Sequence, residues 1–266
     1  MPYFQVDAFT DRLFSGNPAG VCVLPEWLPD TLLQSIALEN GLSETAFLVR
    51  GEAVRRLRWF TPTVEVDLCG HATLAAAHVL YRHFACDEAV LTFQTRSGPL
   101  SVTRSGDLLC LDLPSRPGVS CTPPADLIAG LGRTPVVVAR SRDYLAVLES
   151  EREVRELRPD LDALGRLDCL GVIVTAPGES CDFVSRFFAP RAGVPEDPVT
   201  GSAHCTLAPW WADRLGRQQL HARQVSRRGG ELFCTVRGER VEVAGRAVTY
   251  SAAVLEVPFH GHAAAS

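Results

Sequence analysis

The feature that most constrains this chain is that it repeats itself. Arg58-Trp59-Phe60-Thr61-Pro62 ends one strand-like run and Arg186-Phe187-Phe188-Ala189-Pro190 ends another. Each is followed within about a dozen residues by a glycine-led segment of small side chains, Gly70-His71-Ala72-Thr73-Leu74-Ala75 and Gly201-Ser202-Ala203-His204-Cys205-Thr206-Leu207-Ala208. A helix that is small and apolar nearly all round belongs in a core. Two such units predict two lobes related by a pseudo-twofold, each wrapping a strongly curved sheet around one central helix. The fold class is α+β.

The rest of the pattern fits that plan. Strands are expected near 2–9, 19–25, 44–50, 54–60, 89–95, 98–104 and 107–113. Helices are expected near 30–39, with Asp30 as N-cap, and near 71–83. The Pro-, Ser- and Gly-rich stretch 114–124 reads as the linker, which divides the chain into lobes 1–113 and 114–266. In the second lobe, strands are expected near 135–140, 143–149, 170–176, 182–188, 220–227, 231–236 and 239–244, with helices near 159–165 and 201–215. The last strand, near 247–257, is free to pack back on the N-terminal lobe. The tail after Phe259 is expected to be disordered.

Composition removes several function classes. The chain has 26 basic residues and every one is arginine. Schiff-base chemistry and a Walker A loop both require lysine and are excluded. Gly130-Leu131-Gly132 starts a dinucleotide fingerprint, but Pro135 stands where its third glycine belongs. The net charge of -5 argues against nucleic acid as a partner. Met1 to Asp7 reads as a strand without a basic or long apolar leader, and no run is long enough to span a bilayer. No membrane association and a cytoplasmic location are expected. The nine cysteines lie scattered through apolar segments without a Cys-x-x-Cys pair, as expected of reduced, mostly buried thiols.

A pseudo-twofold brings the N-termini of both central helices to one cleft. Each offers unpaired backbone N–H groups and partial positive charge, suited to a carboxylate or an enolate-like intermediate. Gly70 and Gly201 permit close approach to the backbone. The same pattern also describes two ordinary buried helices with tight glycine starts.

Four blocks in order make the likeness specific: Phe9-Thr10 with Gly16-Asn17-Pro18-Ala19-Gly20; Leu42-Ser43-Glu44-Thr45-Ala46-Phe47; Phe60-Thr61-Pro62 with Cys69-Gly70-His71-Ala72-Thr73; and Glu196-Asp197-Pro198-Val199-Thr200-Gly201-Ser202-Ala203. With them the chain resembles the PhzF-like (phenazine-biosynthesis-like) family. The resemblance implies a diaminopimelate-epimerase-like fold and a homodimer working without metal or organic cofactor. It implies a glutamate, Glu44, that shuttles a proton during isomerisation of a small carboxylate-bearing substrate, in the characterised branch a dihydro-hydroxyanthranilate. His71 and Asp197 assist. Asn17, Gly70, Thr73, Gly201 and Ser202 form the expected substrate-binding set.

Glu44 begins an apolar strand, where a partly dry cleft would raise its pKa into the useful range. His71 in the first turn of a helix should be neutral. Cys69 stands apart. The resemblance extends to racemases and epimerases of this superfold, which use two opposed cysteines, one before each central helix. Cys69 fills the first place, but the second holds Asp197-Pro198-Val199 and no cysteine, and Cys205 lies inside the helix on the wrong side of Gly201, so the two-thiol set is incomplete. A thiol at a helix start should have a lowered pKa. Two rival readings therefore remain: a racemase or epimerase using Cys69 with a carboxylate, and a non-catalytic protein that holds a small anion.

Overall fold

The first sheet is built from the chain's two ends. In the computed structural model, which describes residues 1–51 and 54–257, its order is β18-β1-β2-β3-β4-β5. These strands are β1 (Pro2–Ala8), β2 (Asn17–Leu24), β3 (Glu44–Val49), β4 (Leu57–Phe60), β5 (Glu65–Val66) and β18 (Ala247–Val254). The last strand lies antiparallel on the first, with Pro2 opposite Val254. The tail after Phe259 lies outside the described residues.

The second sheet has twelve strands. It runs β6 (Val90–Thr95), β7 (Gly98–Ser105), β8 (Leu108–Pro114), β17 (Arg240–Gly245), β16 (Gly230–Arg237), β15 (Gln219–Gln224), β13 (Phe183–Ala189), β12 (Val172–Pro177), β11 (Tyr144–Val147), β10 (Val137–Arg140) and β9 (Val119–Ser120). The short β14 (Val194–Asp197) pairs with β13. Three strands from the first half thus continue a sheet made mostly by the second, joined where β8 meets β17.

The two small-residue helices are the core pieces. In α2 (Gly70–His83) every side chain from His71 to Ala77 is buried, with Val79 and Leu80. This helix packs on β1, β2, β3 and β18 of the first sheet and on β7 and β8 of the second. Small side chains let it touch both. The second central helix, α6 (His204–Leu215), packs on β15, β16 and β17. It is preceded by one 3-10 turn at Gly201–Ala203. Pro209 inside α6 has no N–H for the carbonyl of Cys205. That carbonyl instead accepts from Arg116 N at 2.8 Å, so the stretch 114–124 is tied to the helix, and β9 within it pairs with β10.

The repeat reproduces one interaction in both lobes. On β4, Arg58 forks onto Glu65 of β5, Nε to Oε1 at 2.7 Å and Nη2 to Oε2 at 2.7 Å. On β13, Arg186 forks onto Glu196 of β14, Nε to Oε1 at 2.7 Å and Nη2 to Oε2 at 3.0 Å. Arg58 lies over Phe60 and Arg186 over Phe188. Each arginine clamps the short strand that leads to a central helix.

Some elements differ from the sequence expectation. Helix α1 (Asp30–Asn40) is preceded by Pro29 without a side-chain cap; Asp30 is its first residue and its carboxylate accepts from Arg58. Two helices were not expected: α3 (Ala125–Leu131) and α4 (Glu151–Glu156). The latter starts on a Ser-x-x-Glu cap, with Ser150 Oγ accepting from Glu153 N at 3.3 Å. With α5 (Leu161–Gly165) they cover β10–β13 over a second apolar cluster that includes Leu127, Val154, Leu164 and Phe188. No described helix is long and apolar enough to cross a membrane.

Candidate active site

Four chain segments deliver the site. β2 begins at Asn17, β3 at Glu44 and α2 at Gly70, and β14 ends at Asp197 just before the turn at Gly201. β2 and β3 are parallel neighbours, with Ala19 beside Glu44. A Cβ added at Gly70 would stand 3.9 Å from the Cα of Gly201, so the two helix starts lie close together. A Cβ at Gly201 would meet the ring of Phe9 at 3.4 Å. Phe9 is fully buried and holds φ of 61°, a region that non-glycine residues seldom occupy. The sequence did not single it out as a wall of this cleft.

His71 lies between an acid and a thiol. Its Nε2 is 3.2 Å from Glu44 Oε2 and its Nδ1 is 3.5 Å from Cys69 Sγ. The first contact is not aligned as a hydrogen bond, and both of its atoms are buried without another partner. Burial, then the charge of Asp197, push the Glu44 carboxyl up to about 7, while the adjacent Cys69 thiol pulls it down in part. Burial holds His71 down to about 4, so its imidazole is neutral at pH 7.

Cys69 corrects one sequence expectation. Burial and the Glu44 charge push its thiol well above the ordinary value, although the Ala72 amide hydrogen-bonds to it. Desolvation and a neighbouring carboxylate outweigh the helix start. The thiol is protonated at neutral pH.

Asp197 is held on both oxygens. Oδ1 accepts from Asn17 Nδ2 at 2.8 Å and Oδ2 from Thr200 Oγ1 at 2.5 Å. Asn17 also donates to Val199 O, which fixes the turn ahead of Gly201. Burial pushes Asp197 up to about 6, with the Thr200 and Asn17 bonds holding it back. Buried Gln224 accepts from Thr200 N at 2.8 Å and donates to Asp197 O at 2.8 Å. Gln224 lies on β15 outside any motif, and only the three-dimensional pairing reveals it.

The two helix starts match residue by residue. Thr200 precedes Gly201 as Cys69 precedes Gly70. Thr73 Oγ1 donates back to Cys69 O at 2.6 Å, and His204 Nδ1 lies 2.9 Å from Thr200 O. The hydroxyl of Thr73 is therefore committed to its own helix. Ser202 is half-buried, and Arg142 donates to its Oγ at 3.4 Å. The structure thus gathers Asn17, Glu44, Cys69, Gly70, His71, Asp197 and Gly201; it turns Thr73 inward and ties Ser202 to Arg142.

Among the described residues, the group of His, Cys and acidic side chains that could hold a metal ion is Glu44, Cys69 and His71, whose donor atoms all lie within 4.8 Å of one another. A separate cavity of about 540 Å³ is lined by Arg12, Arg223, Gln224, Arg228 and Arg246 among others, and of the site residues described above it shares Gln224 alone. Its arginines already meet acids: Arg228 pairs with Asp7, Arg246 with Asp107 and Arg223 with Glu231.

The chain as a whole is similar to known proteins. The family model for phenazine biosynthesis-like protein, PhzC-PhzF, matches residues 6–253. An uncharacterized isomerase of Pseudomonas aeruginosa is 53% identical over 96% of this chain and 98% of its own. The crystal structure of a PhzF-family protein from Enterococcus faecalis superposes with a TM-score of 0.93 at 47% identity, covering 96% of this chain and 99% of that one. A probable proline racemase from Agrobacterium radiobacter, at 11% identity, shares the fold alone, with a TM-score of 0.64 over 98% of this chain and 94% of that one. That likeness agrees with a diaminopimelate-epimerase-like architecture.

Proposed function

The chain belongs to the phenazine biosynthesis-like PhzC-PhzF family and is an isomerase of that type; from this premise we propose that it moves a proton within a small carboxylate-bearing substrate, with Glu44 as the acid and base. The observation that carries this reading is the pairing of a carboxyl titrating at about 7 with two helix starts that meet at Gly70 and Gly201. A shuttle must take a proton and return it, so both of its forms must be populated at working pH. The amides at the start of α2 and at Gly201–Ser202 hold the substrate carboxylate and the negative charge that develops when a C–H bond opens. Neutral His71 orients Glu44 and the substrate. Asp197, anchored by Asn17 and Thr200, raises Glu44 and positions the substrate from the other lobe.

Substrate discovery comes from a panel of small aromatic and amino carboxylic acids, read by NMR for isomerised product. Family resemblance supports a homodimer in the cytoplasm, without a metal or organic cofactor. Turnover is expected to survive exhaustive chelation. Loss in chelator with rescue by an added metal ion would remove the cofactor-free reading.

The racemase reading has one observation in its favour, that Cys69 faces the same point as Glu44 and His71. Against it stand a protonated, buried thiol and the lack of a cysteine at the second place, where Asp197-Pro198-Val199 stands. Cys69→Ser is expected to keep turnover within about tenfold of the parent, far less than the loss expected of a removed acid or base. A loss as deep as that of Glu44→Gln, with solvent deuterium entering the substrate α-position and stereoinversion, would favour the racemase.

A further inference from the structure

We propose that Glu44, Cys69 and His71 form a binding site for a thiophilic divalent cation, of which Zn²⁺ is the type, and that occupancy inhibits the enzyme. The site uses the residues of the proposed proton shuttle, but cation binding is read without substrate and so stands or falls separately from that reading.

One donor atom from each of Glu44, Cys69 and His71 lies within 4.8 Å of the other two. The Nε2–Oε2 distance of 3.2 Å is close to the donor separation of a tetrahedral zinc site, whereas Cys69 Sγ contacts the other ring nitrogen, Nδ1, at 3.5 Å and has to turn toward the ion. Bond lengths of about 2.0–2.3 Å place such donors roughly 3.3–3.6 Å apart. One imidazole nitrogen, the sulfur and one carboxylate oxygen supply three ligands. A tetrahedral ion would keep a fourth position for water or a substrate oxygen.

A second observation points independently to a ligand. His71 is 6% exposed, and its Nε2 and Glu44 Oε2 are buried without an aligned hydrogen bond. Buried polar atoms left so are unfavourable, and a cation between them would satisfy both. The field has the matching sign. The charges acting on Glu44 and Cys69 are the carboxylates of Asp197 and Glu44. A sulfur and an imidazole select Zn²⁺ or Co²⁺ over Mg²⁺ and Ca²⁺. His71 is already neutral, as a ligand must be.

Binding breaks the Cys69 S–H bond and forms a sulfur–metal bond, and the proton leaves to solvent. Affinity should therefore rise with pH as one proton is released per cation. The bound cation occupies the oxygen that Glu44 needs for proton transfer. The ion is an inhibitor in this account, and chelation relieves it.

Co²⁺ is the probe, because a thiolate ligand gives a near-ultraviolet charge-transfer band and tetrahedral cobalt gives visible bands. Wild type is expected to show both, with displacement by Zn²⁺. Folded Cys69→Ser should lose the charge-transfer band, and His71→Gln should bind at least about tenfold more weakly. Cys86→Ser, at a half-buried thiol beside Glu88, should bind as wild type does. Absence of the band in wild type at millimolar cobalt, or its persistence in Cys69→Ser, overturns the site. If Cys69→Ser does not fold, wild-type affinity in His71→Gln overturns it. Once turnover is measurable, full activity at saturating Zn²⁺ overturns the inhibition.

Discussion

Glu44→Gln is expected to lower turnover by on the order of a hundredfold to ten-thousandfold while binding of a substrate-like carboxylate changes far less. Glutamine keeps the shape and one acceptor oxygen but cannot carry a proton, whereas the carboxylate contact is made by the helix starts at Gly70 and Gly201. Glu44→Asp should also fail, because shortening by one methylene withdraws the carboxyl from the reacting atoms and from His71. The same substitution has a second signature. The ordinary value of 4.5 for Glu44 is raised to about 7 in the folded chain. Below pH 4.5 the group is protonated in both states and contributes no difference. As pH rises from 4.5 to 7 the unfolded chain releases this proton while the folded chain keeps it, so stability falls across that window. The shift corresponds to roughly 3 kcal/mol as an order of magnitude. Glu44→Gln should therefore be more stable than wild type above pH 7, with the gap closing towards pH 4.5. Turnover, ligand affinity and denaturant midpoints on the same preparations check all of this. Near-wild-type turnover in folded Glu44→Gln would remove the residue from the mechanism.

Arg186→Met should destabilise the fold by about 3–5 kcal/mol, the penalty for breaking a buried ion pair from one side. Arg186 is 8% exposed. It forks onto Glu196 and donates to the carbonyls of Val154 and Leu157 at 3.1 and 2.9 Å. Its loss leaves a carboxylate and two carbonyls short of a partner and frees β14, which carries Asp197. Adding Glu196→Gln should recover part of the loss, since the orphaned charge goes with it. Urea unfolding followed by circular dichroism measures both. A change below about 1 kcal/mol in the single variant would show that the pair behaves like a surface bridge.

The sequence made the site's inner ring legible because those residues sit in short local patterns. Cys69-Gly70-His71 and Asp197 to Gly201 are read directly, and a carboxylate at the head of an apolar strand marks Glu44. Burial of α2 followed from its small side chains. What stayed hidden depends on distant pairing. Nothing local in 90–114 says that β6, β7 and β8 join the second sheet, since alternation fixes a face and not a neighbour. Gln224 anchors Asp197 through a bond across 27 residues, and no periodicity marks it. The Cys69 thiol misled in the other direction. A helix start is visible in sequence, whereas the depth of burial and the neighbouring Glu44 charge that outweigh it are not. The Ser150 cap of α4 and the second forked arginine were present in the sequence as Ser-x-x-Glu and as the repeat itself, but their partners became identifiable only in the folded chain.

The central claim is that this cleft holds Glu44 ready to gain and lose a proton near neutral pH. It is tested most directly by a pH titration of the Glu44 side-chain carbon in protein labelled with ¹³C-glutamate, with Glu44→Gln identifying the signal and Asp197→Asn as the comparison. The expected midpoint in wild type is about 7. Removing the Asp197 charge should lower it, with burial keeping it above the ordinary value. A wild-type midpoint near the ordinary glutamate value of 4.5 would leave Glu44 ionised at neutral pH and contradict the account.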